Sequence, residues 1–535
     1  MSGLRSSRSR HRVEVRRIAT APLVVALVLS CAGRAAAGPA SIDAAGARGR
    51  AIYTTGASPG GSVPTAVVAG GIDMPATTQP CSRCHGTDGR GRTEGGVRMP
   101  KVWWSHLTAP SGVQTYLGGV RPPYTDATVA RAIREGLDSA GAPLDGLMPR
   151  YDMDDGDLGD LLAYLKAIET EQAPGVDATM LRIGTLLPAS GPAGAQGRTI
   201  HELLMRYFRT VNEAGGIHGR RIEIVAADPG ATVESTLAAA RDLATGPSPV
   251  FCILTPAAGA AAPQMLRLLA DAEVPVLGAL TFDPDVRERG SVFQVLPSFA
   301  DQGRAAATWL SRRSSGATVA LVSEPTDGAA AMAGGFESAA RSQALSVIAR
   351  TWDPHASAAD MARQLRDAGA SSLVLLGGGG TATRILDAAG TLGWEPEIMV
   401  STVLLDGRLD TGGKALTLIA PPFAPGAGHP GAAVFQSLVR ATASTGPALG
   451  HGALEMAAFA AAELLADALK RMGREVRRST LVDVLADARD VETGVSPPVS
   501  YGPNRRDGLR GALMIQLDVD GKITVNEWID VAPGS

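Results

Sequence analysis

Beyond residue 180 the chain repeats one theme, a short apolar run suited to a buried strand followed by a longer amphipathic stretch suited to a helix. Residues 181–187 read as a buried strand, 201–212 as a helix and 221–225 as a second strand. Strand-like runs recur at 250–254, 274–277, 292–296, 317–322, 345–349, 373–376 and 398–401, with helical stretches between most of them. Parallel strands need a crossover between them and a helix supplies it, so this alternation predicts parallel α/β sheets. A span of about 350 residues predicts two of them. The whole chain of 535 residues is too long for a single core.

A boundary is expected at Glu171-Gln172-Ala173-Pro174-Gly175, where proline and glycine interrupt the helical pattern. Upstream of it the most informative run is Cys81-Ser82-Arg83-Cys84-His85. In an exported protein a Cys-x-x-Cys-His run is where haem is attached: each thiol can add to a vinyl group, and the histidine is placed to ligate the iron. Zinc and thioredoxin-like redox sites share the spacing. A zinc site wants a second ligand pair, but the other cysteines, Cys31 and Cys252, form none. A thioredoxin-like site follows a strand, whereas this one follows a stretch rich in glycine, proline and alanine.

Downstream, Met148 stands in Gly146-Leu147-Met148-Pro149-Arg150, just before an amphipathic segment with Leu158, Leu161, Leu162, Leu165 and Ile168 on one face. On these motifs residues 43–172 resemble the class I c-type cytochromes, which implies an all-α cytochrome c domain with one covalent heme c. By that resemblance Cys81 and Cys84 hold the porphyrin, and His85 and Met148 are the iron ligands. Met153 is the fallback for Met148, and Met148 itself could instead be a core methionine. The resemblance also implies that the Pro100 carbonyl accepts a hydrogen bond from His85. Trp103, Trp104, Arg121 and Tyr124 are candidates for propionate contacts, although packing explains such residues equally well. Residues 54–80 read as a long surface loop.

The N-terminus reads as an export signal over residues 1–37. Arg5, Arg8, Arg10, Arg12, Arg16 and Arg17 precede a short apolar core, residues 21–30, well under the roughly 20 residues that span a bilayer. Ala35-Ala36-Ala37 offers one cleavage site, and a lipoprotein-like box ending at Cys31 offers another that would leave a lipid anchor; an uncleaved anchor is the third reading. Cleavage after residue 37 removes seven arginines and Glu14, so the formal charge moves from −3 to −9. An acidic chain of this kind is not expected to bind nucleic acid.

A second resemblance spans residues 180–535, with residues 173–179 as the linker before it. Ile183-Gly184-Thr185-Leu186-Leu187-Pro188-Ala189-Ser190-Gly191-Pro192 and Val211-Asn212-Glu213-Ala214-Gly215-Gly216-Ile217-His218-Gly219 resemble the opening of the type I periplasmic binding proteins, the leucine-binding-protein-like receptors for branched-chain amino acids, amides or urea. Ala238-Ala239-Ala240-Arg241-Asp242-Leu243 and a closing hairpin at Asp520-Gly521 continue the likeness. It implies two α/β lobes hinged by crossover strands, with a solute at the C-terminal ends of the sheets.

The expected cleft residues are Ser190, Thr255, Ala257, Ala279 and Thr281 from the first lobe and Asp327 from the second. They depart from the family. Hydroxyl residues that would hold a ligand carboxylate are replaced in Thr255-Pro256-Ala257-Ala258, and the turn at Pro325-Thr326-Asp327-Gly328 lacks the family's tyrosine. Gly377-Gly378-Gly379-Gly380 lacks the spacing and lysine of a nucleotide loop. No Ser/His/Asp set or carboxylate pair suggests an enzyme.

Two functions are therefore expected. The first is a periplasmic electron carrier, taking electrons from a dehydrogenase and passing them to an oxidase or another cytochrome, with the binding domain for docking or solute recognition. The alternative is the substrate-binding component of an ABC-type amino-acid or amide importer working with a membrane permease, or a solute sensor, with an accessory haem. Tight solute binding would favour the second.

Overall fold

The computed structural model describes residues 42–531 except 95–96, 111–112, 115–119, 283–289, 315, 354, 407–408, 424–428, 441–450 and 503. The expected signal segment and Cys31 lie outside the described residues, as does the tail 532–535.

The N-terminal part begins with helix α1 (Ala44–Thr55), which Asp43 caps by accepting a hydrogen bond from the Gly46 amide. Strands β1 (Thr65–Val68) and β2 (Ile72–Pro75) follow, then the one-turn helix α2 (Cys81–His85), the hairpin β3 (Arg92–Glu94) and β4 (Val97–Met99), α3 (Trp104–Leu107), and the short pair β5 (Val113–Gln114) and β6 (Val120–Arg121). Helix α4 (Asp126–Glu135) starts on a Thr125/Thr128 capping box, strand β7 is Arg150–Asp152, and α5 (Asp155–Ala167) is capped by Asp154.

Helices α1 and α5 pack so closely that a Cβ at Gly49 would overlap the Asp160 carbonyl. Their buried tyrosines, Tyr53 and Tyr164, pack with ring centroids 5.4 Å apart and planes tilted by 57°. Tyr53 also donates to the Gly86 carbonyl at 2.7 Å, tying α1 to the turn after His85.

The all-α expectation for this region is corrected. Residues 54–80, read from sequence as a loop, carry an antiparallel hairpin in which β1 pairs with both β2 and β7. The physical reason is that Thr65-Ala66-Val67-Val68 is a β-branched run with Ala66 fully buried, and Gly70 and Gly71 take the positive φ its turn requires. Gly175, in the expected linker, accepts from the Arg182 amide, and Val176 bridges Leu181, so residues 173–179 are packed onto the opening strand of the first lobe.

The first lobe is a five-stranded parallel sheet in the order β12-β11-β10-β8-β9, formed by β8 (Met180–Leu186), β9 (Arg221–Ala227), β10 (Cys252–Leu254), β11 (Val276–Leu277) and β12 (Val292–Phe293). Helices α6 (Gly194–Glu213), α7 (Val233–Thr245) and α8 (Ala262–Asp271) connect them. The second lobe carries α9 (Phe299–Arg313), β13 (Thr318–Ser323), α10 (Asp327–Ser342), β14 (Ser346–Thr351), α11 (Ala358–Asp367), β15 (Ser372–Leu376), α12 (Gly379–Thr391), β16 (Glu397–Ser401) and β17 (Leu416–Ala420). The chain then returns to the first lobe for α13 (Pro430–Arg440), α14 (His451–Met472) and α15 (Arg478–Ala486). It ends with β18 (Gly511–Leu517) and β19 (Ile523–Asp530) in the second, whose sheet reads β14-β13-β15-β16-β17-β18-β19.

Three segments therefore cross between the lobes. Two of them touch: Gln294 accepts from the Gly508 amide and donates to the Arg506 carbonyl, both at 2.8 Å. One apolar core joins Leu181, Ile183, Phe208 and Phe251 of the first-lobe strands and helices to Phe459, Leu465 and Leu481 of the returning helices. In the second lobe α9 and α10 meet through glycines on both sides. A Cβ at Gly303 would overlap the Met332 carbonyl and one at Gly335 the Ala300 carbonyl, so neither helix tolerates a side chain at the crossing.

Candidate functional site: the interlobe cleft and the Cys81–Arg92 segment

Helix α2 carries the sequence motif. Cys81 and Cys84 are free, half-buried thiols, and burial pushes the Cys81 thiol up to about 12. His85 is only 7 % exposed, burial lowers its pKa, and its Nδ1 lies 2.8 Å from the Pro100 carbonyl, the contact expected from sequence. A neutral ring donating from Nδ1 is the form this setting favours. Met148 is half-buried against the same apolar core as Cys81, while Met153 is fully within it. The four aromatic and basic candidates have protein partners: Trp103 donates to the Asp88 carbonyl at 2.7 Å, Lys166 lies over Trp104, and Arg121 stacks on Tyr124.

The turn after His85 also docks on the first lobe. Thr87 donates through its amide and hydroxyl to Glu273, and Arg92 pairs with the same carboxylate at 2.8 Å. Arg90 reaches Thr480 at 2.8 Å, Ser479 donates to Asp88, and Arg477 lies over the Trp103 ring. Beside them Arg478 donates to the Val250 and Phe251 carbonyls; burial brings its pKa down to about 10.

The interlobe cleft lies where loops follow the C-terminal ends of parallel strands. After β10 the Thr255 amide donates to Leu277 and the Ala257 amide to Leu186; after β11 the Leu280 amide donates to Pro256 and that of Thr281 to Ala279. These bonds bring Thr255, Ala257, Ala279 and Thr281 together. Thr255 is fully buried, with a methyl against the Gly278 side, φ of 47° and no hydrogen-bond partner for Oγ1 among the described residues. A left-handed β-branched residue is uncommon and costs about 1 kcal/mol or more. Ser190 is exposed on the loop after β8, and Asp327 is exposed at the start of α10.

Sequence reasoning missed the residues that bridge the lobes. Phe282, packed on the first-lobe core, stacks on Phe299 of the second with centroids 5.0 Å apart, and the Phe299 amide donates to the Phe282 carbonyl. A Cβ on Gly328 would meet both Phe299 and Leu404, which marks out an apolar patch on the second lobe. Glu324 lies against Gly377 and Asp406 against Gly378. The only signal available was position, since Phe282, Glu324, Leu404 and Asp406 lie on loops after predicted strands and Phe299 opens a helix.

The periplasmic binding protein family matches residues 180–522, well over half of the chain. The chain belongs to that family. As a periplasmic binding protein it shares the two-lobed fold with an ABC transporter substrate-binding protein from Desulfitobacterium hafniense, at 18 % identity and a TM-score of 0.53 over 65 % of this chain and 99 % of that one. It is likewise similar to a branched-chain amino acid transporter substrate-binding protein from Streptococcus pneumoniae, solved with isoleucine, at 19 % identity and a TM-score of 0.51 over 66 % of this chain and 100 % of that one. A fatty acid ABC transporter substrate-binding protein from Thermomonospora curvata gives 16 % identity and a TM-score of 0.50 over 68 % and 95 %. At these identities the likenesses show the fold. No curated protein matches the sequence.

The comparisons correct the haem expectation. The matching family is a solute-binding one, no haem-binding family matches the chain, and among the described residues no group of three or more His, Cys, Asp or Glu side chains is placed to hold a metal ion. Heme c as the cofactor, His85 and Met148 as iron ligands, and the dehydrogenase and oxidase partners that rested on it therefore have no support. The family is periplasmic, and among the described residues no helix is long and apolar enough to cross a membrane.

Proposed function

We propose that this chain is a periplasmic solute receptor of the kind that serves a membrane permease of an ABC-type importer, and that its solute is held between the lobes. The observation that carries this reading is the contact between lobes at the hinge, where the loop after β11 reaches the second lobe through Phe282 and Phe299 beside the paired crossovers at Gln294 and Gly508. Two rigid sheets joined by short crossovers can close on a ligand without breaking either core. Ser190, Ala257 and Thr281 line the first-lobe side, with Thr255 and Ala279 buried within the same loops, and Asp327 lines the second. Residues 43–172 form an accessory domain held to the first lobe, after an export segment at residues 1–37, and residues 180–535 are the receptor proper. No catalytic role is proposed for any of them. The named relatives that carry amino acids or fatty acids support a small organic solute as cargo.

The test is ligand-dependent stabilisation of the full exported chain. A solute held in the cleft at about one hundred times its Kd adds about 2.7 kcal/mol to unfolding and raises the Tm accordingly. Small-angle scattering on the same sample should show compaction. If neither changes with any solute in a panel of amino acids, amides and apolar molecules, the receptor reading fails.

A further inference from the structure

Resting on that reading, we infer that the cleft takes an uncharged, predominantly apolar small molecule and rejects free amino acids and other carboxylates. A receptor for a carboxylate must offer it donors, because charge-assisted hydrogen bonds supply most of that recognition. On the first-lobe side five backbone donors of the loops after β10 and β11 are consumed within the protein. The Thr255, Ala257, Gly278, Leu280 and Thr281 amides all donate to carbonyls at 2.8–2.9 Å, and Pro256 has no N–H to give.

On the second lobe three more amides are spent in the same way. The Glu324 amide donates to Leu376, that of Thr326 to Glu324 and that of Thr402 to Ile419, while the Thr402 hydroxyl also reaches Ile419. Helix α12 would ordinarily present a positive end to an anion. Here the Asp406 carboxylate lies against Gly378, its N-cap, and the Asp406 carbonyl accepts from the Gly379 amide at 3.1 Å, so a protein carboxylate already holds that place. Glu324 and Asp327 stand at the two ends of the β13–α10 connection in the same lobe. A second anion entering this rim meets like charge in a partly desolvated setting, which costs affinity.

What the rim does offer is apolar surface. Phe282 and Phe299 stack across the lobes, Leu280 packs beside the first, and Leu404 adjoins Phe299 over Gly328. Aromatic faces bind flat or branched hydrocarbon by area and geometry rather than by charge. The solute is therefore recognised by shape and apolar contact, with a polar group no more demanding than an amide.

The experiment titrates the full exported chain with benzamide, benzoate and leucine, following tryptophan fluorescence and Tm. Benzamide and benzoate have nearly the same shape and differ in charge, so the expected result is benzamide binding at least ten-fold tighter than benzoate, with leucine also at least ten-fold weaker. Phe299→Ala should weaken benzamide about ten-fold, and Asp406→Asn should narrow the gap between benzamide and benzoate. Leucine or benzoate binding as tightly as benzamide overturns the inference and leaves the receptor reading standing. No response to any of the three, nor to the wider panel above, overturns both.

Discussion

Arg92 and Glu273 are 181 residues apart in the chain and meet at 2.8 Å, the side chain of one domain against the loop of another. The same carboxylate accepts from the Thr87 amide and hydroxyl, so one acidic residue gathers three donors from the turn after His85. Glu273 itself has a φ of 50° and lies two residues beyond the end of α8. Outside the N-terminal domain, the ion pairs and hydrogen bonds described for this turn end on the first-lobe residues Glu273, Ser479, Thr480 and Asp483.

Glu273→Ala should therefore loosen the N-terminal domain without unfolding the receptor. Both partners are about one-third exposed, so the pair itself contributes little: a double-mutant cycle with Arg92→Ala should give a coupling of about 0.5 kcal/mol. Limited proteolysis should cut faster in residues 168–175 of the variant. Unchanged proteolysis would mean that the domain is held by its other contacts alone.

The crossing of α9 and α10 should be intolerant of one methyl group. Gly303→Ala and Gly335→Ala each drive a Cβ into a backbone carbonyl of the other helix, where no rotamer change gives relief. Each is expected to lower stability by about 1–3 kcal/mol in denaturant melts. The double variant should lose less than the sum, because the first substitution already separates the helices.

At Thr255 the usual order of alanine and glycine should reverse. The residue sits at φ 47° with its hydroxyl unpartnered, so glycine removes backbone strain that alanine keeps. Thr255→Gly is expected to be about 1 kcal/mol more stable than Thr255→Ala by thermal melting. An alanine variant at least as stable as the glycine variant would show that this position is unstrained.

Glu463 on α14 gives a pH signature. Burial raises its carboxyl pKa, with a hydrogen bond from Tyr207 working against the shift. A raised folded value means that the folded state prefers the protonated acid. This contribution is then complete below the ordinary glutamate value of about 4.3 and is lost as pH rises through the higher folded one. Glu463→Gln stays neutral, so its stability relative to the parent should improve as pH rises across that window, read as denaturant midpoints in a pH series. A difference that is flat with pH would contradict the assignment.

All nine strands expected in residues 181–401 are present within a few residues, because each is a short apolar run between polar helices and has one way to be buried. Strand β17 was missed although Leu416-Thr417-Leu418-Ile419-Ala420 is as apolar as the others; its place in the alternation is taken by a chain returning to the first lobe rather than by a crossover helix. The β1–β2 hairpin was hidden by the glycine, proline and threonine around it, which read as a loop until β7 supplies the partner edge. In the site, the loops after β10 and β11 were legible because they follow strands. The Phe282–Phe299 contact was not, since it joins residues from two cores and no local pattern encodes that. The Cys81–His85 run was read for its chemistry, and the docking surface formed by Thr87, Arg90 and Arg92 directly after it went unseen because its partners lie far along the chain.

The chain's path between lobes sets an order of events during synthesis. The strands of the first lobe emerge early, yet the helices that cover one face of their sheet, α13 to α15, come only after the second lobe has been nearly completed. Until α14 and α15 arrive, Leu181, Ile183 and Phe251 have no Phe459 or Leu481 to pack against, and part of an apolar sheet face stands open to water. The half of the receptor that is translated first thus waits for helices made after most of the second, and a nascent chain halted anywhere between β12 and α14 is the species most prone to aggregate.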